Sequence, residues 1–199
     1  MVFIAVGLVA YLLLLCMLIL LQDSHRKANV ALVSFSILLV VWLVSVLLLQ
    51  TSIGASLYFT RLVFVLGLWT AGTLAWFTYE LVREVRSMAL ARRVLPHGIA
   101  LYIILSILTM VSPLIISGLE FHQGRVPLPQ YGPWYGVYLV IVGFTINSIV
   151  TWIFSGHKAA TGDARRQLGT VAYTLGISVF AAFMTNLIIP LMTGDTQSA

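Results

Sequence analysis

The sequence predicts an all-α membrane protein: a helix bundle with six transmembrane helices and its N-terminus outside. Three observations carry that prediction. Of the 199 residues, 60% are hydrophobic and 9% charged, whereas a soluble domain carries about 25% charged residues. The 11 basic and 6 acidic side chains are too few to cover a water-facing surface. Six apolar runs also reach the about 20 residues that a helix needs to span a bilayer. Finally, the basic residues collect in alternate loops. The composition excludes a soluble enzyme, a disordered chain and a nucleic-acid binder, despite a net charge of +5 and a pI near 9.7.

The first run covers residues 2–22. No basic residue precedes it, and Arg26 and Lys27 follow it, the reverse of a cleavable signal peptide, so a retained helix is expected. It holds Cys16, the single cysteine, which excludes an intrachain disulfide and a thiolate metal site. The second run is residues 29–50 and the third 57–82. After Arg83 the third is expected to continue out of the membrane until Pro96 breaks it. The fourth run is residues 98–119, with Pro113 following Ser112 inside it. Between it and the fifth lies GLEFHQGRVPLPQYGPW (118–134), rich in the glycines and prolines of turns. The fifth run is 133–156, with Tyr131, Trp134, Tyr135 and Tyr138 at headgroup level. The sixth is 167–192, and the tail after it is short and polar. Barrel strands would alternate apolar and polar residues, which these runs do not, so helices are the expected spans.

Orientation follows from Lys and Arg. Arg26 and Lys27, then Arg83, Arg86, Arg92 and Arg93, then Lys158, Arg165 and Arg166 occupy alternate loops, leaving Arg61 and Arg125 on the other side. The positive-inside rule places those three loops in the cytoplasm and both termini outside. A multi-pass protein of a prokaryotic cell membrane is expected.

Little in the sequence carries chemistry. His25, His97, His122 and His157 all fall in loops, so haem or metal ligation within the bundle is not expected. Arg61 and Glu80 lie near the two interfaces, where anchoring, or a pair between Glu80 and Arg83, accounts for them. No lysine lies within a span and no acid lies deep in one. Asn147 stands mid-span beside Thr145, Ser148 and Thr151. Asn186 stands four residues before Pro190, which frees the Asn186 carbonyl. These asparagines are read either as interhelical glue or as the floor of a polar cavity open to the outside. Trp42, Trp69, Trp76 and Trp152 are candidates to line it or to face lipid. No H-E-x-x-H, phosphate loop or G-x-S-x-G motif is present, so the chain alone is not expected to be an enzyme, and no cofactor is expected.

Four stretches carry a resemblance. YGPWYG (131–136) leads into an apolar helix; ARRQLG (164–169) precedes a span containing Asn186 and ending in IIPLM. NVALVSFSILLVVW ends at Trp42, and RLVFVLG starts at Arg61 ahead of Trp76 and Phe77. Together, over nearly the whole chain, these resemble the N-terminal seven-helix sensor region of bacterial and archaeal membrane histidine kinases. The resemblance implies seven spans, a cytoplasmic output module and homodimers. Six spans end on the outside, so either a seventh helix follows Ala199 or the chain is a six-helix relative without an output module, and any kinase activity lies outside this sequence. The expected function is sensing of a small or lipid-like ligand near the outer leaflet. Arg61, Glu120, Tyr131, Trp134 and Tyr135 are the candidate mouth, with Asn147 and Asn186 deeper. The alternatives are a small transporter or channel, and a scaffold subunit whose 83–93 loop binds a partner or anionic lipid.

Overall fold

The computed structural model describes residues 26–49, 56–120 and 128–183. Five helices and one hairpin occupy them: α1 Lys27–Leu49, α2 Leu57–Arg83, α3 Ala89–Val111, β1 Ile116–Glu120, β2 Leu128–Tyr131, α4 Tyr135–Ala159 and α5 Gly162–Phe183. The first expected span, and the end of the sixth with Asn186, lie outside the described residues. Helices α1 to α4 are long and apolar enough to cross a membrane, and they match the second to fifth expected spans. α5 carries Asp163, Arg165 and Arg166 in its first turns and is not among the four. The chain is thus a mostly helical, multi-pass membrane protein with four spans among its described residues.

Two expectations are corrected. α2 does not run on to Pro96. It stops at Arg83, where the Val82 carbonyl accepts the amides of both Val85 and Arg86. The chain then reverses within five residues, and α3 begins at Ala89 with Pro96 inside it. A proline removes one amide and crowds the carbonyl four residues earlier. Here that carbonyl belongs to Arg92, an exposed residue.

The second correction concerns the far end of α3. The fourth expected span reaches residue 119, but α3 ends at Val111. Ser112 is extended (φ −122°, ψ 155°) because the ring of Pro113 disfavours helical backbone in the residue before it. The following residues form a strand, so the protein is not all-α. β1 pairs antiparallel with β2, with Ile116 opposite Tyr131 and Glu120 opposite Leu128. The register is irregular between Ile116 and Gly118, where Ser117 donates its hydroxyl to the Gln130 carbonyl. Gly132 closes the hairpin against the bundle. A Cβ there would overlap the carbonyl oxygens of Pro113 and Leu114, and its amide donates to the Ile115 carbonyl at 2.9 Å. Only glycine lets the two backbones come this close.

α2 is the central helix. It packs against α1, α3, α4 and β1, while α5 packs on α4. Three buried clusters run along it. Leu68, Tyr102, Leu105, Ile115, Ile116 and Tyr138 fill the hairpin end; Ala75, Ile149 and Ile153 fill the middle. Ala31, Phe77, Leu81, Val82, Ala160 and Leu168 fill the opposite end, where the basic residues lie. The outward faces are apolar too: Ile104, Ile107 and Phe154 are 54%, 57% and 59% exposed. Apolar surface on this scale suits contact with lipid, not water. Polar side chains inside the spans satisfy themselves locally. Ser36, Ser45, Thr70, Thr78 and Thr109 each donate to the carbonyl one turn earlier, a pattern that removes the penalty of a bare hydroxyl in hydrocarbon.

Candidate functional site

The residues expected at the mouth divide sharply. Arg61, in the first turn of α2, turns inward. Its Nε and Nη2 donate to the Ile116 carbonyl (3.2 and 2.7 Å) and its Nη1 to that of Met110 (3.2 Å). The guanidinium thereby ties the end of α3 and the start of β1 to α2. Tyr131 and Tyr135 stack with centroids 4.0 Å apart, and both present ring edges to Phe64. Beneath them Tyr138 is buried and donates its hydroxyl to the Phe64 carbonyl at 3.0 Å. Trp134 caps the start of α4 and is half exposed. Glu120 lies exposed at the far end of β1, away from this cluster. The hairpin end is therefore a filled aromatic plug.

Asn147 is also placed differently from the expected floor. It is exposed on the outer face of α4. Successive helical residues are 100° apart, so its neighbours Thr145 and Ser148 face inward while it faces out.

The opening lies elsewhere. α3 and α4 both pack on α2 and barely on each other, leaving a groove of about 1010 Å³ along residues 87–102 of α3 and its preceding turn, and along residues 140–155 of α4. Trp69, Thr73 and Trp76 of α2 form its floor; Tyr102 stands on one wall, and Thr145, Ser148 and Trp152 on the other. Pockets that bury drug-sized ligands measure roughly 300–1,000 Å³, so the space suits an organic molecule.

A polar latch closes the groove towards the hairpin. The Tyr102 hydroxyl lies 2.7 Å from Thr145 Oγ1, a buried hydrogen bond joining α3 to α4. Trp69 Nε1 donates to Ser106 Oγ (2.9 Å), which in turn donates to the Tyr102 carbonyl (2.7 Å). The Trp69 and Tyr102 rings meet edge to face. Gly72 makes room for this: a Cβ at that position would stand 3.0 Å from Tyr102 Cε1. Three helices thus meet through a few precisely held polar atoms in an apolar setting, the usual anatomy of a small-molecule site.

At its other end the groove meets charge. Glu80, 6% exposed, accepts from Trp76 Nε1 at 3.3 Å and pairs with Arg83 at 2.9 Å, the pair expected from their spacing. Arg83 also sits over the Tyr79 ring. Arg26 grips Glu84 with two hydrogen bonds, fixing the start of α1 to the end of α2. Among the described residues no group of three His, Cys, Asp or Glu is placed to hold a metal.

Of the four tryptophans considered from sequence, Trp69, Trp76 and Trp152 line the groove, while Trp42 lies against Gly67 instead. Tyr102 and Ser106 were missed. Their signal was available: Tyr102, Ser106 and Thr109 recur at helical spacing on one face of an otherwise apolar run. No family model, curated protein or solved structure matches the chain.

Proposed function

We propose that this chain is a membrane-embedded sensor module of the histidine-kinase-receptor kind, whose ligand is a lipid-like molecule held between α2, α3 and α4. One observation carries the reading: a groove with polar atoms at fixed places separates two helices that share a neighbour but hardly touch. An occupant favours the α3–α4 separation that fits it, and a two-state helix arrangement is what a receptor needs to pass on binding. The groove lies in the half of the bundle that carries the basic loops, so the ligand comes from that leaflet and not through the aromatic plug. By the positive-inside rule this is the cytoplasmic leaflet, a change from the outer-leaflet site expected from sequence. The plug also weighs against a transport path through the described bundle.

The test is photolabelling of the reconstituted chain with a diazirine-bearing fatty acid, alongside spin labels on α3 and α4. Adducts should concentrate on Trp69, Tyr102 and Ser148, and the label distance should shift as the fatty acid is added. Adducts spread equally over the outward residues Ile37, Val41 and Val44 of α1, with no distance change, would remove the reading.

A further inference from the structure

A second cavity, of about 560 Å³, opens at the basic end against Tyr79, Arg83, Ser87, Arg92 and Arg93. Ser87, Met88 and Ala89 line both it and the groove, so the two spaces adjoin at the α2–α3 turn. Their chemistries differ. The groove is walled mainly by apolar and aromatic groups, whereas the small cavity presents three guanidinium groups and a serine hydroxyl. The local charges do not cancel. The turn region holds Glu80 and Glu84 against Arg83, Arg86, Arg92 and Arg93. Glu80 is matched by Arg83 and Glu84 by Arg26. Arg86, Arg92 and Arg93 form no ion pair among the described residues, and all three are exposed. Guanidinium forks suit phosphate oxygens in particular.

We infer, building on the groove reading above, that this pocket takes the phosphate-bearing headgroup of an anionic phospholipid whose acyl chains lie in the adjoining groove. A free phosphate would explain the arginines but not the adjoining apolar groove. A neutral lipid would explain the groove but not three surplus positive charges at its end. Basic residues near a membrane surface each favour anionic lipid about fivefold, so Arg92 and Arg93 together account for a preference of more than about tenfold.

The test uses the full chain in phosphatidylcholine bilayers with traces of acyl-chain spin-labelled phosphatidylglycerol or phosphatidylcholine, reading the motionally restricted fraction by electron paramagnetic resonance. The chain should restrict phosphatidylglycerol with the larger share. Arg92→Gln with Arg93→Gln should cut that preference by about tenfold or more while leaving phosphatidylcholine restriction unchanged, and Arg92→Lys with Arg93→Lys should keep most of it. Equal restriction of both lipids by the unaltered chain, or a preference undiminished in the glutamine pair, overturns the headgroup assignment. Displacement of labelled phosphatidylglycerol by inorganic phosphate at constant ionic strength also overturns it, in favour of a soluble anion. The groove reading fails separately: Ser148→Trp fills the groove and should lower the restricted share of both lipids, and a share equal to wild type removes it.

Discussion

The two ends of the bundle are built on the same central helix and reach opposite outcomes. At the hairpin end α2 offers Arg61 and Phe64, and the chain surrounds both. Among the described residues, strand, aromatic stack and backbone carbonyls close around them, and the guanidinium donates to two backbone carbonyls. At the basic end α2 offers Trp69, Thr73 and Trp76, and two neighbouring helices stand apart across them. The difference shows that a charged residue at a membrane interface does not by itself mark a binding site. What counts is whether its donors already have partners in the fold. Arg61 has them; Arg92 and Arg93 pair with no acid among the described residues.

This contrast can be broken most severely at Gly132. Gly132→Ala drives a methyl group into backbone that no rotamer change relieves, so about 3 kcal/mol of stability should be lost. Thermal unfolding in detergent measures it, and cysteines at Ile115 or Ile116 should become reactive as the plug opens. Arg61→Met should cost about 2 kcal/mol, because the carbonyls of Met110 and Ile116 lose their donors in a dry setting. If the stability of this variant stays at wild-type level, the clamp is not what holds the hairpin end shut. Tyr102→Phe sharpens the contrast from the other side. It removes the α3–α4 hydrogen bond at about 1 kcal/mol, the scale for such bonds within membranes. It should also broaden the α3–α4 distance distribution between spin labels while the plug stays closed. Asn147→Leu should be the mildest, within about 0.5 kcal/mol of wild type, with photolabelling of the groove unchanged. Loss of labelling in that variant would return Asn147 to the site.

Much of the helical layout was legible because long apolar runs have few other structures open to them in lipid. α2 begins at the expected residue, with Ser56 capping it and accepting the Phe59 amide. The faces of the helices were not legible. In water an apolar stripe marks the buried side, but lipid and protein core are equally apolar, and the pattern then loses its direction. This is why Trp42 and Trp69 looked alike, and why Asn147 was assigned to the interior beside Thr145. The hairpin was hidden for another reason. Ile115 and Ile116 are fully buried and read as a continuing helix, but Pro113 sets the local geometry and the pairing partner lies a dozen residues away. The arginines were visible as a basic loop from the start. Their separation into paired and surplus charges required the contacts of Glu80 and Glu84.

Pro96 gives the open end a mechanical character that the plugged end lacks. It stands seven residues into α3, so the first two turns of that helix form a short arm about 10 Å long, hinged where one backbone bond is missing. The arm carries Arg92 and Arg93 and the first part of the groove wall. A bend of ten degrees or so at the hinge would sweep its tip by about 2 Å, moving both arginines together while the latch at Tyr102 stays fixed. A headgroup drawn towards those arginines would pull on a lever, with the acyl-chain groove opening or narrowing as the arm turns.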